Sequence, residues 1–235
     1  KHTQYVGNCF ANLLTDPAER ESSQSHSPDK GTITLDEKSF NEDLMKSYSF
    51  PDPQRAFQFL KSLRDGPDFF HPTEKSLRNF YILLPKLLDA AIKTPLPNSA
   101  VENFVKFVEA SQARENFLGI LLDNQRFLEI LLILFGSSDG LSNIIIRRPE
   151  YMDVLISNES IHRFKHPETI FANLIQDLNR AANLGEKKNI LRQFKKGEEL
   201  RIGVRYLIRE TDLIGTLTDL STIADIFLRA ALETA

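Results

Sequence analysis

The sequence predicts an all-α fold, an irregular multi-helix bundle of short antiparallel helices. Nearly every apolar pattern recurs at spacings of three and four, and no run of strict alternation is bounded by turn residues. Helix-start and helix-stop residues also punctuate the chain at short intervals.

Tyr5, Val6, Cys9, Phe10, Leu13 and Leu14 form one apolar stripe, so residues 1–14 read as an amphipathic helix belonging to a preceding region. Residues 15–34 contain DPAERESSQSHSPDKG, which is polar, proline-bearing and serine-rich, and read as a mobile linker. Helices resume at Leu35, and residues 35–235 read as a helical domain.

Within that domain Asp52 is an N-cap and Pro53 the first helical residue, launching QRAFQFLKSLRD, which Gly66 and Pro67 close. Thr73 caps a helix whose stripe is Leu77, Phe80, Tyr81, Leu84, Leu87, Leu88 and Ala91. Pro85 inside it predicts a kink or a break near Leu83. After the loop TPLPN, Asn98 is expected to cap a helix carrying Val101, Phe104, Val105 and Val108. Two strongly apolar helices follow, through Phe117 to Leu122 and Phe127 to Phe135, split near Asp123 and Asn124.

The stretch FGSSDGLSNIIIRRPEYMDVLI comes next. Gly136 is expected to end one helix and Ser137 or Ser138 to cap the next. Pro149 should stop that one and open a short helix burying Met152, Leu155 and Ile156. Pro167 starts a helix through Phe171, Leu174, Ile175 and Leu178, with Gly185 expected just past its end. The last two helices run from about Lys187 to Arg209 and from Asp212 onward.

The balance of 41% hydrophobic and 26% charged residues in 235 is that of a folded globular chain. A formal net charge of −3 gives no electrostatic footprint for nucleic acid or an anionic membrane, so neither is expected as a partner. The single cysteine, Cys9, excludes an internal disulfide and a cysteine-rich zinc site and suits a reducing cytoplasm. The longest apolar runs, such as Ile130 to Phe135, fall far short of the roughly 20 residues a membrane span needs. The opening KHTQYVGNCFANLL has neither an initiator methionine nor a signal-peptide pattern, so the chain is expected to be a piece of a longer cytoplasmic protein.

Four constellations invite a chemical reading. Gly136 and Ser137 before a helix could offer backbone N–H groups to a phosphate, but only Asp153 follows, and no Asp-x-Asp pair exists to chelate magnesium. His162 and His166 have the spacing of two zinc ligands on one helix face. Pro167 disfavours helix at His166, Arg163 stands where a zinc-protease motif needs glutamate, and a third ligand is missing, so surface histidines are the preferred reading. Asp212, Asp219 and Asp225 are seven and six residues apart, and read as caps and solvated positions. Lys187, Lys188, Arg192, Lys195, Lys196, Arg201, Arg205 and Arg209 form a basic band, partly offset by Glu186, Glu198 and Glu199, with Glu198 able to pair with Arg201. Its candidate docking face for an acidic partner or a neighbouring domain is Arg192, Lys195, Lys196, Arg201 and Arg205; a solvated helix face is the plain alternative. With no Ser-His-Asp order, Cys-His pair or glycine-rich phosphate loop, no catalytic, metal or cofactor residue is expected in this chain.

Three segments read together resemble one family. SFPDPQRAFQFLKSLRDGP, LLILFGSSDGLSNIIIRRPEYMDVLI and ILRQFKKGEELRIGVRYLIRETDLIGTLTDLSTIADIFLRAALE stand in the order seen in the glutamine-synthetase adenylyltransferases, the bifunctional adenylylating and adenylyl-removing enzymes. The second segment, with its Gly-Ser turn, apolar helix, R-x-P-E and Asp-x-Leu, is the most distinctive, and LRQFKKGEELRI is similar to a second family pattern. The opening HTQYVGNCFANLL is similar to the family's helix before its midpoint linker.

The resemblance implies a helical region ahead of a nucleotidyltransferase domain, the second of two in such enzymes. It would position that domain and contribute to regulation or partner docking without activity of its own. It also implies a parent that uses ATP and magnesium to transfer AMP to a glutamine synthetase tyrosine, or removes it, under control of PII signal protein and glutamine. The implied partners are its own nucleotidyltransferase domain, glutamine synthetase and PII. One departure stands out: Tyr206 follows Arg205 where the family often has aspartate. The alternative from another class is a stand-alone helical interaction module with a basic docking face.

Overall fold

The computed structural model describes residues 38–66, 72–111, 114–152, 155 and 166–233, with backbone alone at 114–116. The helix expected over 1–14 and the linker over 15–34 lie outside the described residues. Among the described residues there are ten α-helices and no strand, so the all-α class holds. The chain forms two compact units, one running to Glu150 and the other from Tyr151.

The first unit contains α1 (Glu42–Ser47), α2 (Pro53–Asp65), α3 (Glu74–Ala91), α4 (Pro97–Ala110), α5 (Arg114–Asp123), α6 (Gln125–Ser137) and α7 (Asp139–Arg147). Caps set most of the starts. Asn41, Asp52, Thr73, Asn124 and Ser138 each accept a backbone N–H three residues on, at 3.0, 3.0, 3.2, 3.0 and 3.3 Å. Ser138, rather than Ser137, is therefore the cap of α7. Gly66 ends α2 at φ 80°, a left-handed conformation that favours glycine.

Two expectations fail here for definite reasons, and a third is decided in part. First, of the kink or break expected near Leu83, the break does not occur: α3 runs on to Ala91. Pro85 removes one backbone donor, while Leu83, Leu84, Leu87 and Leu88 are all at most 1% exposed, so packing on both sides holds the helix together. Second, Asn98 is not the cap of α4. Pro97 already occupies the first turn, and the Asn98 side chain accepts from Asp52 N at 3.1 Å and donates to Asp52 O at 2.6 Å, tying the start of α4 to the start of α2. Third, Gly136 does not end a helix. It lies inside the last turn of α6, where a Cβ would collide with the Thr94 side chain and crowd Ala100; Leu96 N donates to its carbonyl at 3.1 Å.

The core of this unit centres on α4, which packs mainly on α6 and α2, while α3 covers α5 and α6. Phe104, Val105, Phe107 and Val108 are almost wholly buried. The Phe107 ring lies 5.3 Å from Phe117 and 5.7 Å from Phe135, edge-on or tilted as aromatic quadrupoles prefer. A short 3₁₀ turn, Pro149–Tyr151, follows α7 where the two units divide. Met152 and Leu155 beyond it are buried as expected, and Ile156 lies outside the described residues.

The second unit is built from α8 (Pro167–Arg180), α9 (Leu184–Leu207) and α10 (Leu213–Glu233). Ile170, Phe171, Leu174 and Leu178 of α8 meet Ile202 of α9 and Ile223, Ile226 and Ala230 of α10 in one cluster. Gly185 is not past the end of α8, which stops at Arg180. It sits in the first turn of α9 because Asn183 caps that helix through Glu186 N at 2.9 Å, and the Glu186 carboxylate accepts from Ala182 N at 2.6 Å.

Candidate functional site

α10 begins at a firm cap. The Asp212 carboxylate accepts from Gly215 N at 2.7 Å and its carbonyl accepts from the Thr216 hydroxyl at 2.7 Å. At 3.6 residues per turn, Thr216, Asp219, Ile223, Ile226 and Ala230 fall on one side, and the buried members join the core. The opposite side carries Leu213, Ile214, Leu217, Leu220, Leu228 and Leu232 within about 120° of arc. All six are exposed, from 39% at Leu220 to 79% at Leu232. Isolated surface leucines need no explanation, but six on one helix face form a contiguous apolar surface of the kind that marks an interaction site. Sequence reasoning missed this face, although the signal was present: the large apolar residues of α10 fall on two sides of the helix, with Thr218, Thr222, Asp225, Arg229 and Glu233 gathered in the sector between them, the pattern of a helix covered on more than one side.

The expected docking face on α9 divides in two. Arg192, Lys195 and Lys196 are exposed and stay on the surface, where Lys195 pairs loosely with Glu199 at 3.5 Å. Arg201 and Arg205 do not join them. Arg201 is 3% exposed and donates through Nε to Glu198 at 2.6 Å, so the expected i,i+3 pair exists but is buried. The Arg205 guanidinium is also turned inward, 3.6 Å from the Asp219 carboxylate of α10. The C-terminal half of α9 is buried on more than one side: Glu198, Leu200, Ile202 and Val204 point in different directions around the helix and are all buried, and Arg201 is enclosed with them. Tyr206 is exposed and lies outside this buried set.

The remaining candidates separate as well. His166 precedes α8 in extended conformation and His162 lies outside the described residues. Asp212 is a cap, Asp219 faces Arg205 and Asp225 is exposed, so the three aspartates do not converge. Among the described residues no three His, Cys, Asp or Glu side chains come together as a metal site. Gly136 and Ser137 lie inside α6, Ser138 N is spent on Leu134 O at 3.1 Å, and Asp153 is outside the described residues. A solvent-open groove of about 780 Å³ lies between α8 and α9, with Ile170, Leu174, Ile190 and Phe194 on its floor. Asp177 and Arg180, which also line it, are more than half exposed and paired with each other at 3.6 Å, and the one buried carboxylate on its wall, Glu198, is engaged by Arg201 at 2.6 Å. Among the described residues no helix is long and apolar enough to cross a membrane.

Comparison with known proteins bears directly on this arrangement. The family model for glutamate-ammonia ligase adenylyltransferase matches residues 128–235, which include α8, α9 and α10. The bifunctional glutamine synthetase adenylyltransferase/adenylyl-removing enzyme of Pseudomonas aeruginosa is 27% identical over 96% of this chain and 24% of its own length. The protein of that name from Hahella chejuensis is 23% identical over 100% of this chain and 25% of its own length. That from Chromobacterium violaceum is 23% identical over 92% and 24%. The chain thus spans about a quarter of the length of the curated relatives it matches. No solved structure matches it. The resemblance read from the sequence motifs holds: the chain is similar to proteins named bifunctional glutamine synthetase adenylyltransferase/adenylyl-removing enzyme over most of its length, at low identity.

Proposed function

We propose, from that kinship, that this chain is a non-catalytic helical region of an adenylyltransferase acting on glutamine synthetase, and that it supports and positions a nucleotidyltransferase domain. The observation that carries this reading is the aliphatic face of α10. Six exposed large side chains on one helix, backed by a packed core on the other side, suit a surface that a neighbouring domain covers. ATP and magnesium would be held by that domain, which would transfer AMP to a glutamine synthetase tyrosine or remove it. Glutamine synthetase and PII signal protein would be further partners of the whole enzyme.

Two measurements test the reading. The isolated chain, incubated with magnesium-ATP and glutamine synthetase, should transfer no AMP; any transfer sinks the claim of a non-catalytic region. In the full-length protein, Leu217→Ser with Leu228→Ser should cut adenylyl transfer by about tenfold or more, by loosening the docked domain, while the thermal midpoint of the isolated chain stays within about 1 °C. Unchanged transfer in that double variant removes the docking role from α10.

A second reading rests on a separate observation, the exposed cations Arg192, Lys195 and Lys196 of α9. They suit an acidic protein partner held by salt-sensitive attraction, as an interaction module would need. Replacing all three by glutamine should weaken such a complex and flatten its salt dependence, with little effect on the fold.

A further inference from the structure

We propose that the small cavity where α9 and α10 meet, beside the start of α8, binds one small oxyanion of carboxylate or phosphate size. Its volume is about 70 Å³, and Arg201, Arg205, Thr218, Asp219 and Thr222 line it together with Ile223. Liquid water takes about 30 Å³ per molecule, so the space holds roughly two waters or one compact group of a few heavy atoms.

The argument starts from donors without acceptors. Arg201 Nη1, Arg205 Nε and Arg205 Nη1 are buried and have no hydrogen-bond partner. Arg201 is 97% buried by the complement of its 3% exposure, and its one hydrogen bond in the region is through Nε to Glu198. An arginine stays charged and offers five N–H groups in a fixed planar fork, so leaving three such donors unmet in the interior is costly. A carboxylate or phosphate presents paired oxygens that match this fork, with charge-assisted hydrogen bonds.

The threonine walls add no further donor. The Thr218 and Thr222 hydroxyls give their hydrogens to Ile214 O and Thr218 O, each at 2.9 Å. Asp219 opposes the ligand. Its carboxylate lies 3.6 Å from Arg205 Nη1, an ion pair too long to be a hydrogen bond, so a bound oxyanion would compete with it for the Arg205 guanidinium. Glu198 already balances Arg201. Asp219 therefore sets the affinity, and removing its charge should tighten binding.

The test uses the 235-residue chain titrated with inorganic phosphate, sulfate or acetate, with chloride making up constant ionic strength. The arginine side-chain Nε–Hε NMR signals and the thermal midpoint are followed. At least one oxyanion should shift the Arg205 signal saturably where chloride does not. A preference for phosphate and sulfate identifies a tetrahedral ligand, and a preference for acetate a carboxylate. Arg205→Gln should weaken binding about tenfold or more, and Asp219→Asn should strengthen it on the order of tenfold. Replacing the buried Arg201 risks unfolding the chain, so the Asp219→Asn gain, which requires no contact to be lost, carries the decision. The proposal is overturned if the arginine signals respond to no oxyanion beyond matched chloride, or respond equally in Arg205→Gln. Water alone then fills the cavity.

Discussion

The two units use apolar residues in opposite ways. In the first, α4 and α6 are surrounded: Phe104, Phe107, Leu131 and Phe135 are at 0% exposure, and short capped helices close over them from several directions. In the second, α8 and α9 cover one side of α10, and the side bearing Leu213, Ile214, Leu217, Leu220, Leu228 and Leu232 stays open. Charges differ too. Ion pairs of the first unit keep at least one partner well exposed, as Arg55 is in Arg55–Glu102 at 2.5 Å, whereas the second buries both Arg201 and Glu198. The first unit encloses most of its large apolar side chains, and the second leaves apolar surface exposed and buried donors unmet. Function in this chain is to be sought where the hydrophobic effect is not yet satisfied.

The largest expected effect breaks the comparison at its root. Phe107→Ala should cost the first unit about 3–5 kcal/mol in denaturant unfolding, through lost transfer energy and a cavity among three rings. Leu228→Ala in the isolated chain should stay within about 0.5 kcal/mol. Similar losses at the two sites would mean that the outer face of α10 is already covered. Next in size, Gly136→Ala should destabilise by about 1–3 kcal/mol, because its Cβ must displace Thr94 against Ala100; a neutral result would mean the joint between α6 and α4 is loose.

The smallest effect concerns acid. Burial pushes the Glu102 carboxyl up, but hydrogen bonds and charge from Lys106, at 2.7 Å, and Arg55 outweigh it and hold the group below the usual carboxylate range. A carboxyl depressed in the folded state contributes stability above its unfolded pKa and loses it as pH falls through the folded value. Glu102→Gln should therefore flatten the acid limb of stability against pH, and a curve of unchanged slope there would assign the acid sensitivity elsewhere. Arg55 and Lys106 are about half exposed, so the effect is modest.

Starts of helices were legible in the sequence and stops were less so. Asp52, Thr73 and Pro167 announce starts because a capping oxygen or a proline has one local job to do. Gly136 and Gly185 looked like stops and are not, because one is a packing glycine and the other follows the Asn183 cap. Conversely, α1 and α9 end in tight left-handed turns at Ser49 (φ 59°) and Arg209 (φ 63°), where no glycine gave warning. At both, two backbone N–H groups reach back to the last carbonyls: Ser49 to Lys46 and Phe50 to Met45, Arg209 to Tyr206 and Glu210 to Arg205. The candidate site was legible only in part. The basic band was visible, but which arginines turn inward depends on which face of α9 meets α10, and local sequence does not encode that contact.

The hydroxyls along α10 carry one further consequence. Thr216, Thr218, Ser221 and Thr222 each donate to the carbonyl four residues back, at 2.7 to 2.9 Å. Such bonds leave these side chains with no donor that must find water. A surface whose leucines gain from being dried and whose neighbouring hydroxyls lose little by it has a low desolvation barrier, so a covering partner could settle on α10 without first rearranging it.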